Sequence, residues 1–189
     1  MDILLINTRV NELTKHAVFA LPLGLAYLGS ILRENGYSVS AIDLNATPMD
    51  ELQIKKTIEQ SSPLILGIST NTPTFNNGIF IARLAKEVNP GIKVVMGGPH
   101  ASVLYEEVAM EGCVDVVVRG EGEYTMLEVA DCLVRQKGRL ADTKGIAYND
   151  GGVIRVTGKR LFIADPDELP FLVGFICAGL VAFKKPFQR

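Results

Sequence analysis

The strongest constraint on the fold is an alternation of short apolar segments, rich in β-branched residues, with amphipathic segments at helical spacing. This alternation predicts βαβ units around a parallel sheet. The five predicted strands are ILLIN (3–7), YSVSAID (37–43), LILGIST (64–70), IKVVMGG (92–98) and VDVVVRG (114–120). Three of them are almost continuous in Val, Ile and Leu, as expected for strands that helices cover on both faces.

The segments between these strands carry helix signals. In LPLGLAYLGSILRENGYSV, Pro22 can begin a helix, Gly36 can cap its end, and Leu25, Leu28 and Leu32 share one face. Similar segments follow the second, third and fifth strands, and ASVLYEEVAMEG after the fourth also looks helical. Right-handed crossovers leave few topologies. The simplest is an α/β fold with a doubly wound, flavodoxin-like (Rossmann-like), five-stranded parallel sheet of order 2-1-3-4-5.

After residue 138 the pattern changes. Two alternating runs flank NDGG in KGIAYNDGGVIRVTG, which predicts a C-terminal β-hairpin, and ADPDELPF is typical of an extended linker. We therefore expect an α/β domain at 1–138, the hairpin and a linker at 139–171, and an atypical apolar tail at 172–189. The longest apolar run, 171–183, is too short to cross a bilayer comfortably, and we expect neither a membrane span nor a signal peptide.

Composition disfavours several classes of function. The 19 Lys and Arg and 21 Asp and Glu residues give a net charge of −2 without long runs of one sign, which argues against nucleic-acid binding. Cys113, Cys132 and Cys177 are scattered and show no CxxC spacing, so the pattern predicts neither a disulfide framework nor a zinc site. Cysteine usage of this kind fits a reducing compartment, and we expect a cytoplasmic protein.

Four loops are candidates for ligand binding, because open parallel sheets bind ligands beyond the carboxyl ends of their strands. They are 7–22, 69–78, 97–102 and 119–125, and all are rich in small, glycyl or hydrogen-bonding residues. In the last of these loops, Arg119, Glu121 and Glu123 are expected to face the cleft.

Three of these loops also have a purely structural interpretation, and Arg119, Glu121 and Glu123 could instead form a solvated charge cluster. Residues 69–72 can cap the following helix, and Gly97 and Gly98 can form a tight turn as well as the floor of a pocket. His100 has no companion at metal-ligand spacing, which disfavours a metal site there.

Several ligand classes found on this fold are disfavoured. A phosphoryl-accepting receiver domain needs acidic residues where this chain has Asn7, Thr8, Ser69 and Thr70. The loop after the first strand lacks a phosphate-binding pattern, and GEGEY near the fifth strand is not GxGxxG. No Ser or Cys nucleophile has a plausible His partner. The residues alone therefore indicate a binding module.

Several segments together resemble a known family: LPLGLAYLGSILRENGYSVSAIDLN, GISTNTPTFNNGIFIARLAKEVNPGIKVVMGGPHAS, DVVVRGEGEYTMLEVADCL, KGIAYNDGGVIRV and DPDELPF. They are similar to the N-terminal cobalamin-binding region of cobalamin-dependent radical SAM proteins, and the resemblance covers about residues 1–171. That group includes methyltransferases and the anaerobic magnesium-protoporphyrin monomethyl ester oxidative cyclase. The combination of PLGLAYL, GGPHAS and RGEGE is its most specific part.

The resemblance implies a corrinoid, with its cobalt, lying flat over the carboxyl edge of the sheet and a nucleotide tail slotted into the domain. The loop after the first strand would cover the lower face of the ring, Ser69 and Thr72 would hydrogen-bond the tail or ring amides, and residues 97–99 would make close backbone contact. Gly120, Glu121 and Glu123 would line the cleft beside them. The implied cofactor-binding residues are Thr8, Arg9, Asn11, Ser69, Thr70, Asn71, Thr72, Gly97, Gly98, Pro99, His100, Gly120, Glu121 and Glu123.

Two departures from related patterns matter. The Asp-x-His-x-x-Gly motif that supplies an axial histidine in methionine-synthase-type domains is absent, because Thr14 stands two residues before His16. A base-off cobalamin without a histidine ligand is therefore expected, with His16 as an outside candidate. The CxxxCxxC motif that holds an iron–sulfur cluster and SAM is also absent, since only Cys177 follows the linker.

The expected function is that of a cobalamin-binding domain of a radical SAM enzyme. It would hold a base-off corrinoid for methyl transfer or related radical chemistry performed with a separate or missing catalytic domain, which would carry SAM and the iron–sulfur cluster. No catalytic residue is assigned to this chain, and by itself it should not perform radical chemistry. The alternatives are a cofactor-free interaction or regulatory module of the same fold and a fragment of a tetrapyrrole oxidative cyclase.

Overall fold

The computed structural model describes residues 1–9, 22–170 and 181–182. The strands are β1 (Ile3–Asn7), β2 (Val39–Asp43), β3 (Ile65–Ser69), β4 (Lys93–Gly97), β5 (Val116–Val118), β6 (Ile146–Asp150), β7 (Val153–Val156) and β8 (Val181–Ala182). The α-helices are α1 (Leu23–Glu34), α2 (Glu51–Ser61), α3 (Phe75–Val88), α4 (Pro99–Val103), α5 (Tyr105–Met110) and α6 (Glu123–Val134). Short 3-10 helices cover Thr72–Thr74, Leu140–Asp142 and Pro166–Glu168. No helix among the described residues is long and apolar enough to span a membrane.

The strands form one sheet in the order β7-β6-β5-β4-β3-β1-β2-β8. Its central part, β2-β1-β3-β4-β5, is parallel throughout, which confirms the predicted order 2-1-3-4-5. The predicted hairpin is β6–β7, and it pairs antiparallel with β5, so it extends the same sheet. At the opposite edge β8 pairs antiparallel with β2, a strand that the sequence pattern did not predict.

Helices cover both faces of the sheet. Because side chains alternate along a strand, Leu4 and Ile6 of β1 point to one face, and Ile3 and Leu5 point to the other. The first face packs against α2, α3 and α5, and the second packs against α1 and α6. The sheet is therefore doubly wound, and burial on both faces explains why its strands are rich in Val, Ile and Leu.

Helix α1 forms where its local signals predicted. It begins directly after Pro22, and beyond its end Gly36 adopts a φ of +83° while its N–H donates to the carbonyl of Arg33 at 2.9 Å. This left-handed conformation suits glycine at a helix end. Of the three residues predicted for this face, Leu25 and Leu32 belong to the buried core, and Leu28 is partly buried and packs against it.

The segment after β4 differs from the single helix that its sequence indicated. Helix α4 ends at Val103 and α5 begins at Tyr105. Leu104 lies between them with a ψ of 37°, outside the helical range. The chain therefore turns at this point, and both short helices can pack on the same face of the sheet.

Candidate functional site

The carboxyl ends of β1, β3, β4 and β5 lie along one edge of the sheet and bring the starts of the four predicted loops together. Thr8, directly after β1, is buried. Its N–H donates to the carbonyl of Ser69 at 3.3 Å, and its hydroxyl lies 2.7 Å from the hydroxyl of Thr74. The side chain of Thr8 therefore fastens the end of β1 to the loop after β3.

The first loop is described only at its beginning. The carbonyl of Arg9 accepts a hydrogen bond from the Asn77 side chain at 2.8 Å, which ties this loop to α3. The predicted cofactor residue Asn11 and the axial candidate His16 lie outside the part of the chain that the structure describes.

The polar residues after β3 divide into internal and accessible groups. Thr70 is buried, and its N–H donates to the carbonyl of Gly97 at 3.0 Å. Ser69 is half-buried, whereas Asn71 and Thr72 are exposed. The side chains of Ser69, Asn71 and Thr72 are therefore accessible to a ligand above the edge. Thr70 instead holds the loops after β3 and β4 together.

The two glycines of GGPH have separate roles. Gly98 precedes α4 with a φ of +100°, and a Cβ atom there would overlap the carbonyl oxygen of Thr70. Gly98 therefore makes the turn, because L side chains rarely adopt this conformation. Gly97 ends β4, and a Cβ atom there would lie 3.6 Å from the Cβ of Val118, an ordinary contact distance. The absence of a side chain at Gly97 leaves open space on the floor of the edge.

His100 is fixed by contacts within the protein. Its ring stacks on Phe75 with centroids 4.2 Å apart, and its Nδ1 lies 3.2 Å from the hydroxyl of Thr72. Pro99, the first residue of α4, is exposed beside it. Among the residues described, no group of three or more His, Cys, Asp or Glu side chains could hold a metal ion. His100 thus links α4 to the first residue of α3 and to the 3-10 turn before it.

Ser102 joins two of the loops and was not among the predicted site residues. Its hydroxyl donates to the carbonyl of Gly98 at 2.9 Å and accepts from the N–H of Gly120 at 2.9 Å. A serine four residues after the turn glycine was a usable signal for the first bond, since Ser often bonds the i−4 carbonyl. The bond to Gly120 depends on the adjacent positions of β4 and β5 in the sheet, which cannot be predicted from the local sequence.

The charged residues of the loop between β5 and α6 contact different parts of the protein. The Arg119 guanidinium stacks 4.0 Å above the ring of Tyr105 and donates to the carbonyl of Thr157 at 3.2 Å. Arg119 is therefore directed to the hairpin. The Glu121 carboxylate accepts from the N–H of Ile163 at 2.6 Å, so it binds the segment that follows the hairpin.

Glu123, the first residue of α6, has a carboxylate that is not fully satisfied. Its Oε2 is buried and has no hydrogen-bond partner among the residues described. Burial raises the pKa of Glu123 above its usual range, an effect partly opposed by the backbone N–H groups of Glu123 and Gly122. Glu123 is not among the residues that line the apolar cleft at this edge.

An apolar cleft opens between α1 and α6 at the same edge and encloses about 380 Å³, including its open mouth. Leu25 and Leu28 of α1 form one wall, and Val118 and Met126 form the other. The sheet supplies the floor, which consists of Leu5, Gly67, Val95 and Gly97. These residues are far apart in the chain, and of the cleft lining only Ser69 and Gly97 were among the predicted ligand-binding residues.

Three glycines, Gly67, Gly97 and Gly122, contribute to the lining of this cleft. A Cβ atom at Gly67 would lie 2.7 Å from Leu5 Cδ2, and one at Gly122 would lie 3.5 Å from Leu28 Cδ2. Leu5 therefore already packs over Gly67, whereas Gly97 and Gly122 add no side chain to the apolar lining, so a flat apolar group can enter at the carboxyl edge. The benzimidazole base of a cobalamin tail is such a group, so the residues present fit the cofactor that the resemblance implies.

The two helices that form the walls are held together at their other ends. The hydroxyl of Tyr37, just after α1, donates to the Asp131 carboxylate of α6 at 2.6 Å. Arg135 stacks 4.0 Å above the Tyr37 ring and donates to the same carboxylate at 3.1 Å. Burial and the hydrogen bond to Asp131 raise the pKa of Tyr37 well above its usual range, so its O–H remains a donor.

Comparison with known families and proteins gives consistent matches. The B12 binding domain model matches residues 13–130. An uncharacterized methyltransferase of Pyrococcus horikoshii is 40% identical over 151 residues, which are 79% of this chain and 32% of that protein. The anaerobic magnesium-protoporphyrin IX monomethyl ester cyclase of Rubrivivax gelatinosus is 36% identical over 141 residues, 70% of this chain and 25% of that protein. The chain thus spans a third or less of the length of these relatives.

Solved structures share the fold. The cobalamin-dependent S-adenosylmethionine radical enzyme OxsB, with aqua-cobalamin and S-adenosylmethionine bound, superimposes with a TM-score of 0.74 at 24% identity, over 85% of this chain and 22% of that chain. The radical S-adenosylmethionine methyltransferase TsrM from Kitasatospora setae, with cobalamin and a [4Fe-4S] cluster bound, gives a TM-score of 0.71 at 20% identity, over 84% of this chain and 31% of that chain.

Proposed function

The chain belongs to the B12-binding domain family, and we propose that its carboxyl edge holds a cobalamin for a radical SAM catalytic domain that lies elsewhere in a longer protein or in a partner. The observation that carries this proposal is the apolar, glycine-floored cleft between α1 and α6, which opens at the edge where the predicted loops meet. The nucleotide tail would enter the cleft while the corrin ring lies over the strand ends.

The accessible residues of the edge suit the polar rim of a corrin ring. Ser69, Asn71 and Thr72 would hydrogen-bond ring amides or the tail, and the backbone at residues 97–99 would approach the ring closely, because a glycine leaves room there. Glu123 would have to turn its carboxylate outward to accept from an amide N–H of the ligand, because its Oε2 is buried in this conformation. Thr8 and Thr70 would act indirectly, by fixing the loops to one another.

The remaining predicted residues have supporting or covering roles in this proposal. Arg9 and Asn11 would cover the lower face of the ring, and Gly120 would lie close to it. His100 would border the ring but not ligate cobalt, because Phe75 and Thr72 already hold its imidazole. With the tail base in the cleft and no protein histidine at the metal, the cofactor would be base-off.

The bound cofactor would supply methyl-carrier or one-electron chemistry at cobalt, while this chain would bind it and orient its upper face. The relatives include a methyltransferase and a cyclase by name, so the reaction would be set by the rest of the protein. Cys113 and Cys132 are well separated in the fold, Cys113 before β5 and Cys132 on α6, which supports placing SAM and the iron–sulfur cluster in the other domain.

The proposal is tested by purifying the chain with hydroxocobalamin and measuring its visible spectrum and binding stoichiometry. Gly122→Leu should fill the mouth of the cleft and weaken binding at least about 10-fold, equivalent to about 1.4 kcal/mol. Gly122 has right-handed helical backbone angles, so leucine fits there without strain. Gly112→Leu, at an open position in the turn before β5, is the matched control and should bind normally. A native chain that retains no corrinoid at micromolar concentration would contradict the proposal and favour a cofactor-free module.

A further inference from the structure

The lining of the cleft restricts the kind of group that can bind there, because it is almost entirely apolar. Its deep part is lined by leucine, isoleucine, valine, methionine and glycine, and Ser69 at the carboxyl edge is the one lining residue with a polar side chain among those described. The floor offers no free peptide groups in compensation, because β3 pairs with β1 on one side and with β4 on the other. A group that enters deeply therefore loses its contacts with water and gains no hydrogen bonds in return.

On this basis, and resting on the proposed function, we propose that the cleft selects cobamides by the base of their nucleotide tail. It accepts an alkylbenzimidazole base and discriminates against a purine base such as adenine. Adenine carries an exocyclic amine and ring nitrogens that bond water in solution, and burying them unsatisfied is costly. The methyl groups of dimethylbenzimidazole instead gain from transfer into an apolar site. The preference should be about 10- to 100-fold in affinity.

Leu28 is the side chain best placed to alter this selectivity. It faces Gly122 across the mouth of the cleft and is only partly buried, so its replacement should not disturb the core. Leu28→Gln supplies an amide that can both donate to and accept from a purine edge, and glutamine is a good helix former. Leu52→Gln, at a 75% exposed position on α2, makes the same chemical change on the opposite face of the sheet.

The test is a titration of the native chain and both variants with three corrinoids, followed by visible absorbance. They are hydroxocobalamin, its adenine-tailed analogue and cobinamide, which has no nucleotide tail. The native chain should bind hydroxocobalamin at least about 10-fold more tightly than either other corrinoid. Leu28→Gln should reduce the ratio of cobalamin to adenine-tailed affinity to a few-fold, and Leu52→Gln should leave it unchanged.

The contradicting results are distinguishable. Equal affinity of the native chain for the cobalamin and the adenine-tailed analogue would overturn the selectivity and leave cofactor binding intact. Equal affinity for cobinamide and cobalamin would show that the tail does not use the cleft, which also overturns the selectivity. Failure to bind any of the three corrinoids would overturn the proposed function itself, and the selectivity with it.

Discussion

At the scale of single residues, the turn at Gly98 is the point of the candidate site that tolerates least change. Gly98→Ala must place a Cβ atom against the Thr70 carbonyl and adopt a φ of +100°. Strain of this kind costs about 1–3 kcal/mol, before any shift of the neighbouring backbone is counted. We therefore expect the free energy of unfolding in urea to fall by at least about 2 kcal/mol.

Gly24→Ala provides the control for that substitution. Gly24 lies in the first turn of α1, and a Cβ atom added there would have no atom within 4 Å, so alanine should be neutral or stabilise by up to about 1 kcal/mol. If both variants had the same urea midpoint, the turn conformation at Gly98 would not be essential.

The buried oxygen of Glu123 predicts a pH-dependent contribution to stability. Because burial raises the folded-state pKa of Glu123, its favourable contribution is present below the unfolded-state pKa of about 4.3 and is lost as the pH rises through the folded-state value. Glu123→Gln removes this titration. The melting temperature of the variant minus that of the native chain should therefore increase from about pH 4 to about pH 7.

Thermal unfolding followed by circular dichroism across this pH range measures the effect. Glu59→Gln, at an exposed position on α2, makes the same change away from the site, and its difference from the native chain should vary less with pH. A Glu123→Gln difference that stayed constant or decreased with rising pH would show that folding does not disfavour the ionised carboxylate.

At the scale of elements, the loop before α6 is bound to the segment after the hairpin. Glu121 accepts from the N–H of Ile163, while Arg160 donates to the hydroxyl of Thr125 at 2.7 Å and pairs with the Glu128 carboxylate at 2.5 Å. These contacts hold residues 159–163 against α6. A loop that is proposed to border the cofactor is thus in direct contact with the chain that leads out of the sheet.

This attachment predicts a change in proteolysis. Glu121→Ala removes the acceptor for Ile163 N–H, so trypsin should cleave after Lys159 and Arg160 about 3- to 10-fold faster, as local opening becomes more frequent. Glu121→Gln keeps a carbonyl acceptor at the same place and should be cleaved at close to the native rate. Mass spectrometry identifies the cut sites. Equal rates for the native chain and Glu121→Ala would mean that Glu121 does not hold the segment.

Elements with local signals could be predicted from the sequence, whereas those that depend on distant contacts could not. Pro22 and Gly36 mark the ends of α1 because both act through their own backbone angles. The break at Leu104 has no comparable local marker. The orientation of Arg119 depends on Tyr105 and on the hairpin, which come from other parts of the chain.

At the scale of the whole molecule, the position of the site could be predicted from the sequence, but the side chains that line it could not. Strand order follows from right-handed crossovers, and ligand position follows from strand order, so the edge that carries Ser69 and Gly97 could be identified in advance. The walls of the cleft come from side chains such as Leu28 and Met126 that sequence pattern identifies only as apolar. Their meeting across the sheet is a result of tertiary packing.

The sheet also predicts where the folding unit ends. The hairpin lies beyond residue 138, yet Ile146 and Ala147 of β6 are fully buried and β6 covers the edge of β5. Burial of one isoleucine contributes about 1.5–3 kcal/mol, and an uncovered apolar edge strand promotes association.

We therefore expect a chain ending at residue 138 to lose its cooperative thermal transition or to aggregate, and one ending at residue 158 to keep the transition. Circular dichroism and size-exclusion chromatography distinguish these states, with the 189-residue chain as reference. A monomeric 1–138 chain that melts within a few degrees of the reference would show that the five parallel strands and their helices fold without the hairpin.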